Sequence, residues 1–131
     1  MVRQNDGLCP CESGQIYDKC CGLFLAGMGF APTAEALMRS RYTAYVEENS
    51  VYLIQTWHTD YRPSSVDLVA DQKWLGFKIK RTEAGLTDTA VGVVEFVARF
   101  KVEGKGYRLH ETSHFIRVAG RWYYTTGELA Q

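Results

Sequence analysis

All four cysteines of this 131-residue chain fall between Cys9 and Cys21, in the run CPCESGQIYDKCC, and this cluster constrains the fold most strongly. Four thiols this close are best explained as one site. Disulfides would imply secretion, but residues 1–7 lack the apolar run of a signal peptide. No stretch approaches the roughly 20 apolar residues of a membrane span. We therefore expect a cytoplasmic protein whose cysteines bind a metal ion.

The cysteine spacing suits a structural zinc site. Four thiolates can close a tetrahedron around Zn²⁺ with Zn–S distances of about 2.3 Å. Gly14 can adopt a positive φ for the return turn between the two pairs of cysteines. Residues 15–21 are predicted to form a helical turn that delivers Cys20 and Cys21, with Gly22 as its stop. Free thiols, a redox pair and disulfides are the alternatives. A closed zinc site has no open position for water and predicts stabilisation rather than catalysis.

The length and charge of the chain limit its organisation and its partners. A segment of about 25 residues cannot build a sufficient core, and a metal is the usual remedy. We therefore predict a zinc-binding lobe over residues 1–28 and a larger domain over residues 29–131. Lys plus Arg and Asp plus Glu are 15 each. This balance does not favour nucleic acid or an anionic membrane as a partner.

Periodicity after the lobe changes from helical to strand-like. Apolar residues at spacings of three and four predict a helix from Ala34 to about Glu48, with Thr33 as its N-cap. A second helix is predicted over 51–57, capped by Asn49 or Ser50, and a turn or short helix over 63–70. Alternating patterns then predict four strands, near residues 75–79, 89–102, 107–118 and 121–126.

Helices followed by four strands with short turns predict an α+β domain with an antiparallel sheet. Long strands must twist, and a sheet curled around the helices would form a cone with an apolar mouth. This order suggests the cystatin-like fold, also called the nuclear-transport-factor-2-like (NTF2-like) fold.

The cysteine segment resembles the SEC-C motif, the small zinc-binding tail of the translocation ATPase SecA. The resemblance implies zinc on Cys9, Cys11, Cys20 and Cys21, with Tyr17 packing beside the metal. The tail of SecA contacts the chaperone SecB and the ribosome, so the resemblance also implies a protein partner in secretion, translation or chaperoning.

Four later segments, together with this motif, resemble the YchJ-like family of bacterial proteins, whose function is uncharacterised. The segments are 36–42 (ALMRSRY), 56–58 (TWH), 96–100 (FVARF) and 120–124 (GRWYY). The resemblance covers nearly the whole chain and implies a SEC-C motif ahead of an NTF2-like domain.

The run from His110 to His114 matches H-E-x-x-H, the zinc-peptidase signature. That motif works on a helix, whereas the flanking pattern here predicts a strand. On a strand the two histidines would stand about 13 Å apart, too far to bind one ion. Glu111 would point to the opposite face. The sequence therefore argues against a peptidase.

The same alternation places Glu111 on the buried face of the sheet, where a carboxylate needs a cation. Arg41, on the apolar stripe of the first long helix, is an obvious candidate, and Arg99 is another. Glu111 and Arg41 form either a structural ion pair or the polar groups of a ligand pocket. The full set of candidate pocket residues is Arg41, Tyr45, Trp57, His58, Glu111 and Trp122.

Two classes of function follow. The first, which the sequence favours, is a protein-interaction module with a structural zinc site. The second is a small-molecule-binding protein, or an isomerase- or hydrolase-type enzyme, that uses the pocket of the cone; its enzymatic form rests on fold analogy.

Overall fold

The computed structural model describes residues 7–130. Residues 1–6, which belong to the stretch predicted to lack a signal peptide, and residue 131 lie outside the described residues. A 3₁₀ turn at Tyr17–Lys19 precedes three helices, and four strands follow. The helices are Cys21–Leu25 (α1), Ala34–Val46 (α2) and Ser50–Gln55 (α3). The strands are Gln72–Ala84 (β1), Val91–Val102 (β2), Lys105–Val118 (β3) and Arg121–Leu129 (β4). The order confirms the α+β prediction.

The strands form one antiparallel sheet in the order β1-β2-β3-β4. The last two hairpins turn through residue pairs with positive φ, Glu103-Gly104 (50° and 82°) and Ala119-Gly120 (53° and 81°). Positive φ at both central residues matches the right-handed twist of the flanking strands. Irregularities in register lie between Trp74 and Gly76 and between Ser113 and Phe115.

Side-chain caps define where α2 and α3 begin, as predicted. The Thr33 hydroxyl accepts a hydrogen bond from the Ala36 N–H at 3.0 Å, and Asn49 Oδ1 accepts one from the Tyr52 N–H at 3.0 Å.

The helix or turn predicted over 63–70 is wrong, because residues 63–69 contain no helix. Val66 and Leu68 are partly buried against the cluster around Leu53, while their neighbours are exposed. This alternation of period two suits an extended segment.

The hydrophobic core lies between α2 and the inner face of the sheet. Leu37 and Tyr42 of α2 pack in one cluster with Phe77, Phe96 and Phe115 of the sheet. The Tyr42 ring stacks on Phe77 with centroids 4.6 Å apart. None of the helices within residues 7–130 has both the length and the apolar character that crossing a membrane requires.

Other parts of the chain bond to both outer strands of the sheet. On β4, the Tyr124 N–H donates to the Thr56 carbonyl and the Tyr124 carbonyl accepts from the His58 N–H, each at 2.8 Å. On β1, the Phe77 N–H donates to the Glu12 carboxylate at 2.8 Å. Satisfied edge groups are less able to pair with another chain.

Gly85, in the β1–β2 connection, and Gly92, near the start of β2, lie very close to each other and to Ala34 of α2. Only glycine fits at these two positions. A Cβ on Gly92 would lie 2.5 Å from the Gly85 Cα and 2.9 Å from the Ala34 Cβ. Gly106 also lies in a strand, but a Cβ there would meet no atom within 4 Å. Gly92 therefore sets the distance between α2 and the sheet.

We predict that Gly92→Ala destabilises the protein by about 1–3 kcal/mol, because the added methyl group meets backbone that cannot move aside cheaply. Urea unfolding measures the free-energy change. Gly106→Ala is the matched control and should stay within about 0.5 kcal/mol of the wild type. Equal effects of the two substitutions would contradict this account of the contact.

Candidate functional site

A tight loop brings the first two cysteines of the cluster together with the last two. The Cys9 N–H donates to the Gln15 carbonyl at 2.9 Å, which closes the loop. Gly14 has φ 86°, as predicted, and Glu12 has φ 63°. The 3₁₀ turn and the start of α1 then deliver Cys20 and Cys21. Local backbone geometry alone therefore gathers the four thiols.

The thiols have the separations of a tetrahedral metal site. All four Sγ atoms lie within 4.8 Å of one another. Cys20 Sγ is 3.6 Å from Cys11 Sγ and 3.9 Å from Cys21 Sγ. Metal–sulfur bonds of about 2.3 Å give tetrahedral edges of about 3.8 Å. Three cysteines are buried and Cys20 is half-buried, so the cluster can hold one metal ion.

The thiols also perturb one another's ionisation. Hydrogen bonds from the Cys11 and Cys21 thiols lower the pKa of Cys9 to about 3. The same mutual contacts, with burial, raise the pKa of Cys21. A metal-free cluster therefore holds thiolate and thiol side by side. A divalent cation can take the place of the protons that the thiols share.

Side chains from outside the cysteine pairs support the cluster. Ser13 Oγ lies 3.2 Å from Cys20 Sγ, and Thr43 Oγ1 of α2 lies 3.8 Å from Cys9 Sγ. Hydroxyl groups beside ligand sulfurs tune metal affinity. Arg39, also on α2, donates from Nη1 to the Cys11 carbonyl at 2.7 Å. The cluster is thus anchored to the long helix.

The predicted role of Gly22 is wrong, because Gly22 lies inside α1 instead of ending a helix. A Cβ at this position would lie 2.7 Å from the Tyr17 ring and the Tyr17 carbonyl oxygen. Gly22 is therefore required for close packing against Tyr17. Tyr17 itself packs on the core cluster that contains Cys9, Cys11 and Cys21, which agrees with the expectation from the SEC-C resemblance.

The H-E-x-x-H run lies on β3, as the alternation predicted, and its histidines bond separate carboxylates. His110 Nε2 contacts Glu95 Oε2 at 2.6 Å, and His114 Nε2 contacts Glu128 Oε1 at 3.0 Å. Across residues 7–130, the four cysteines are the one group of three or more potential ligands that could hold a metal. The geometry does not support a peptidase.

A cavity of about 310 Å³ lies between α2, the sheet and the extended segment after α3. Seven aromatic side chains line it, namely Tyr42, Tyr45, Trp57, Trp74, Phe96, Phe100 and Tyr124. Tilted and edge-on contacts hold these rings, such as Trp74 on Phe100 with centroids 5.0 Å apart. An apolar cavity with few polar groups is the usual form of a small-molecule site.

Arg41 supplies the positive charge of the cavity and is only 2% exposed. Its Nη1 donates to the Leu53 carbonyl at 2.8 Å and to Thr56 Oγ1 at 2.7 Å. A cation is favourable beside the last carbonyls of a helix, here those of α3. Its guanidinium also lies 4.5 Å from the centroid of the Tyr124 ring. Burial lowers the pKa of Arg41, and the nearby tyrosines and Glu111 oppose that shift.

Glu111 is one of two carboxylates that line the cavity, and it is partly buried, whereas the other, Asp67, is exposed. Glu111 Oε2 accepts hydrogen bonds from Ser113 Oγ at 2.7 Å and from the Tyr124 hydroxyl at 3.4 Å. A Cβ on Gly127 would lie 2.1 Å from Oε2, so glycine makes room for the carboxylate. Burial, with the Glu111 charge as a second cause, raises the pKa of Tyr124. The Tyr124 hydroxyl therefore keeps its proton near neutral pH.

Arg41 and Glu111 share the cavity but do not form the direct ion pair that was one of the two predicted possibilities. Every salt bridge found among residues 7–130 joins other side chains. Arg41 is held toward the end of α3, whereas Glu111 is held toward Gly127 on β4. The two charges therefore face a common space.

Tyr45 and Trp57 also line the cavity, whereas His58 and Trp122 do not. Successive side chains of an extended segment point to opposite faces, so His58 turns away from Trp57 and packs on Tyr61 and Tyr123. Trp122 lies two residues before Tyr124 on β4, and its Nε1 donates to the Pro32 carbonyl at 3.2 Å.

Sequence reasoning missed Ser113, which donates a hydrogen bond to the Glu111 carboxylate, and Gly127, which leaves room for that carboxylate. A glycine inside a strand often marks a close approach by another group. The signal was overlooked because the last strand was expected to end at Thr126, whereas β4 continues to Leu129. Thr56, which binds Arg41, had no signal beyond its place at the end of a helix.

Comparisons with known proteins agree with this architecture. The family profile described as "YchJ, middle NTF2-like domain" matches residues 33–127. A UPF0225 protein of Chromobacterium violaceum is 50% identical over 132 residues, which cover 98% of this chain and 97% of that protein. A UPF0225 protein of Streptomyces coelicolor is 46% identical over 120 residues, which cover 92% and 94% of the two chains.

Solved structures extend the similarity to the cysteine lobe. The solution structure of a SEC-C motif containing protein from Rhodopseudomonas palustris has a TM-score of 0.83 and 35% identity, over 94% of this chain and 98% of that one. The crystal structure of a SEC-C motif containing protein from Psychrobacter arcticus has a TM-score of 0.72 and 25% identity, over 94% and 82%. This chain therefore belongs to the YchJ-like (UPF0225) family, with a SEC-C-type cysteine cluster ahead of an NTF2-like domain.

Proposed function

We propose that the protein binds a small organic molecule in the aromatic cavity. The observation that carries this proposal is the pair of opposite charges, Arg41 and Glu111, that line the same cavity without contacting each other. Arg41 is buried and Glu111 is partly buried, and charges withdrawn from water are costly unless they are paired and hydrogen-bonded. A ligand with polar groups at one end would supply the missing partners, while the aromatic walls would cover its apolar body.

We also propose that the metal is Zn²⁺ and that its role is structural. Cys9, Cys11, Cys20 and Cys21 would hold it, and four thiolates leave no open position for a reacting water. Three of these cysteines belong to the same core cluster as Leu37 and Phe77, so the ion would stabilise the domain itself. Reduced thiols at this site suit the cytoplasm.

A second candidate function is protein interaction through the lobe together with the first residues after it, up to Phe30. Five large apolar side chains between residues 8 and 30 are exposed, and their exposed fractions are Leu8 42%, Ile16 51%, Leu23 39%, Met28 75% and Phe30 66%. Exposed apolar residues close together often mark a protein-binding surface. Because the lobe is packed into the core, the zinc site is explained without a partner, and this candidate ranks second.

We predict that protein purified without chelators contains one zinc ion per chain by elemental mass spectrometry. Cys11→Ser should lose the metal and several kcal/mol of stability, because structural zinc binding is part of the folding free energy. Ser13→Ala should keep the stoichiometry and bind zinc about 10–100-fold more weakly. Iron in place of zinc, or an unchanged melting temperature under a strong chelator, would refute the proposal.

We predict that ligand-detected NMR with a library of small aromatic fragments yields compounds that bind in the cavity. Leu109 lines the cavity, and Leu109→Trp should fill it and abolish their binding. Val118, which is exposed on β3 and is not among the cavity-lining residues, provides the control Val118→Trp, which should bind as the wild type does. Binding that survives Leu109→Trp, or a library without binders, would overturn the proposal.

For the lobe, we predict that Met28→Ser combined with Phe30→Ser removes a specific protein from quantitative affinity purifications. The matched control, Val91→Ser with Val118→Ser, changes two exposed apolar residues of the sheet and should retain it. Titration of the purified partner against both variants then measures the loss, expected to be at least about tenfold for apolar contacts of this size. Equal affinities would rule out the lobe as the binding surface.

A further inference from the structure

Arg41 has hydrogen-bonding capacity that its surroundings do not use. A guanidinium carries five N–H groups. Within residues 7–130, Arg41 donates two hydrogen bonds, and both come from Nη1. Within the same residues, no fully enclosed side-chain nitrogen or oxygen lacks a partner. The Nε and Nη2 groups therefore reach open space, and since the side chain is 2% exposed and lines the cavity, that space is the cavity.

Glu111 has an acceptor oxygen that its surroundings do not use. Its Oε2 accepts from Ser113 and Tyr124, whereas Oε1 receives no hydrogen bond from any described residue. The carboxylate is fixed from behind, because Gly127 and the Tyr124 hydroxyl lie close to it. Both side chains line the cavity, which therefore offers N–H groups of Arg41 and an oxygen of Glu111 that no described residue uses.

The remaining walls restrict the body of the ligand. Trp57, Trp74, Phe100 and Tyr124 offer flat aromatic surfaces, which favour offset or edge-on contacts with another ring. A cavity of about 310 Å³ is at the small end of known ligand sites. A single ring with one polar substituent suits this space.

We propose that the cavity takes a small aromatic molecule that carries an uncharged amide, whose carbonyl accepts from Arg41 and whose N–H donates to Glu111. This assignment rests on the proposed small-molecule function. An amide offers an acceptor and a donor side by side, and hydrogen bonds to charged groups are the stronger ones.

Other substituents leave one charged group without a partner. A carboxylate cannot donate to Glu111 and is repelled by it, whereas a cation cannot accept from Arg41. An apolar substituent satisfies neither side chain. Because unsatisfied buried polar groups are expensive, each mismatch should cost at least about tenfold in affinity.

Four probes of nearly equal size test this assignment, namely benzamide, benzoate, benzamidinium and toluene. Titrations of the metal-loaded full-length protein at neutral pH are followed by NMR, using the indole N–H signals of Trp57 and Trp74 as reporters of the cavity. Benzamide should bind at least about tenfold more tightly than each of the other three.

Variants identify the groups that cause the discrimination. Glu111→Gln removes the partly buried carboxylate and leaves the exposed Asp67 as the one acidic residue lining the cavity, so the affinity for benzoate should come to within about threefold of that for benzamide. The control Glu128→Gln changes a carboxylate that bonds His114 outside the cavity and should leave the ranking intact. Arg41→Lys keeps the charge but replaces the planar fork, and should weaken benzamide binding more than toluene binding.

The outcomes distinguish a failure of the amide assignment from a failure of the proposed small-molecule function. Tightest binding by benzoate or benzamidinium, or equal binding of all four probes, would overturn the amide assignment. Suppose that none of the four probes binds, but other fragments bind to the wild type and Leu109→Trp abolishes their binding. The amide assignment then fails and small-molecule binding stands. If no compound of either set binds, both fail.

Discussion

The burial of the thiol cluster against α2 is the contact on which the rest of the structure depends. A lobe of fewer than 30 residues cannot exclude water from its own core. Here Cys9, Cys11 and Cys21 join the hydrophobic cluster of the main domain, and Thr43 and Arg39 of α2 contact the cysteine loop. Buried thiolates are costly without a cation, so a metal ion held by this cluster would stabilise the lobe and the domain together.

The same helix separates the cysteine cluster from the aromatic cavity. Four consecutive residues of α2, 40–43, are buried, although three of them are polar or charged. Each of these three side chains has an assigned contact. Ser40 bonds Tyr52 at 2.7 Å, Arg41 lines the cavity and Thr43 lies beside Cys9. Buried polar side chains need hydrogen-bond partners. Ser40 and Thr43 find theirs within the structure, whereas Arg41 uses only its Nη1 group.

Separation of charge gives the cavity its chemical character. Arg41 is drawn to the carbonyl end of α3 and to the Tyr124 ring, whereas Glu111 is drawn to Ser113 and the space left by Gly127. Each charge is therefore held by local contacts in place of a salt bridge. Under the proposed ligand-binding function, this arrangement would preorganise the two side chains for the polar groups of a ligand, so that they would lose little freedom on binding.

The sequence by itself determined the four-cysteine cluster that could hold a metal ion, the α+β order of elements, the N-caps of α2 and α3 and the strand that carries His110 to His114. These features depend on spacing and periodicity, which are local properties of the chain. Only the tertiary structure decided that the lobe shares the domain's core, that His58 and Trp122 lie outside the cavity, and that Arg41 and Glu111 stay apart. Those outcomes depend on contacts between residues distant in sequence, such as Glu12 with Phe77 and Glu111 with Gly127, and on register shifts that no local pattern encodes.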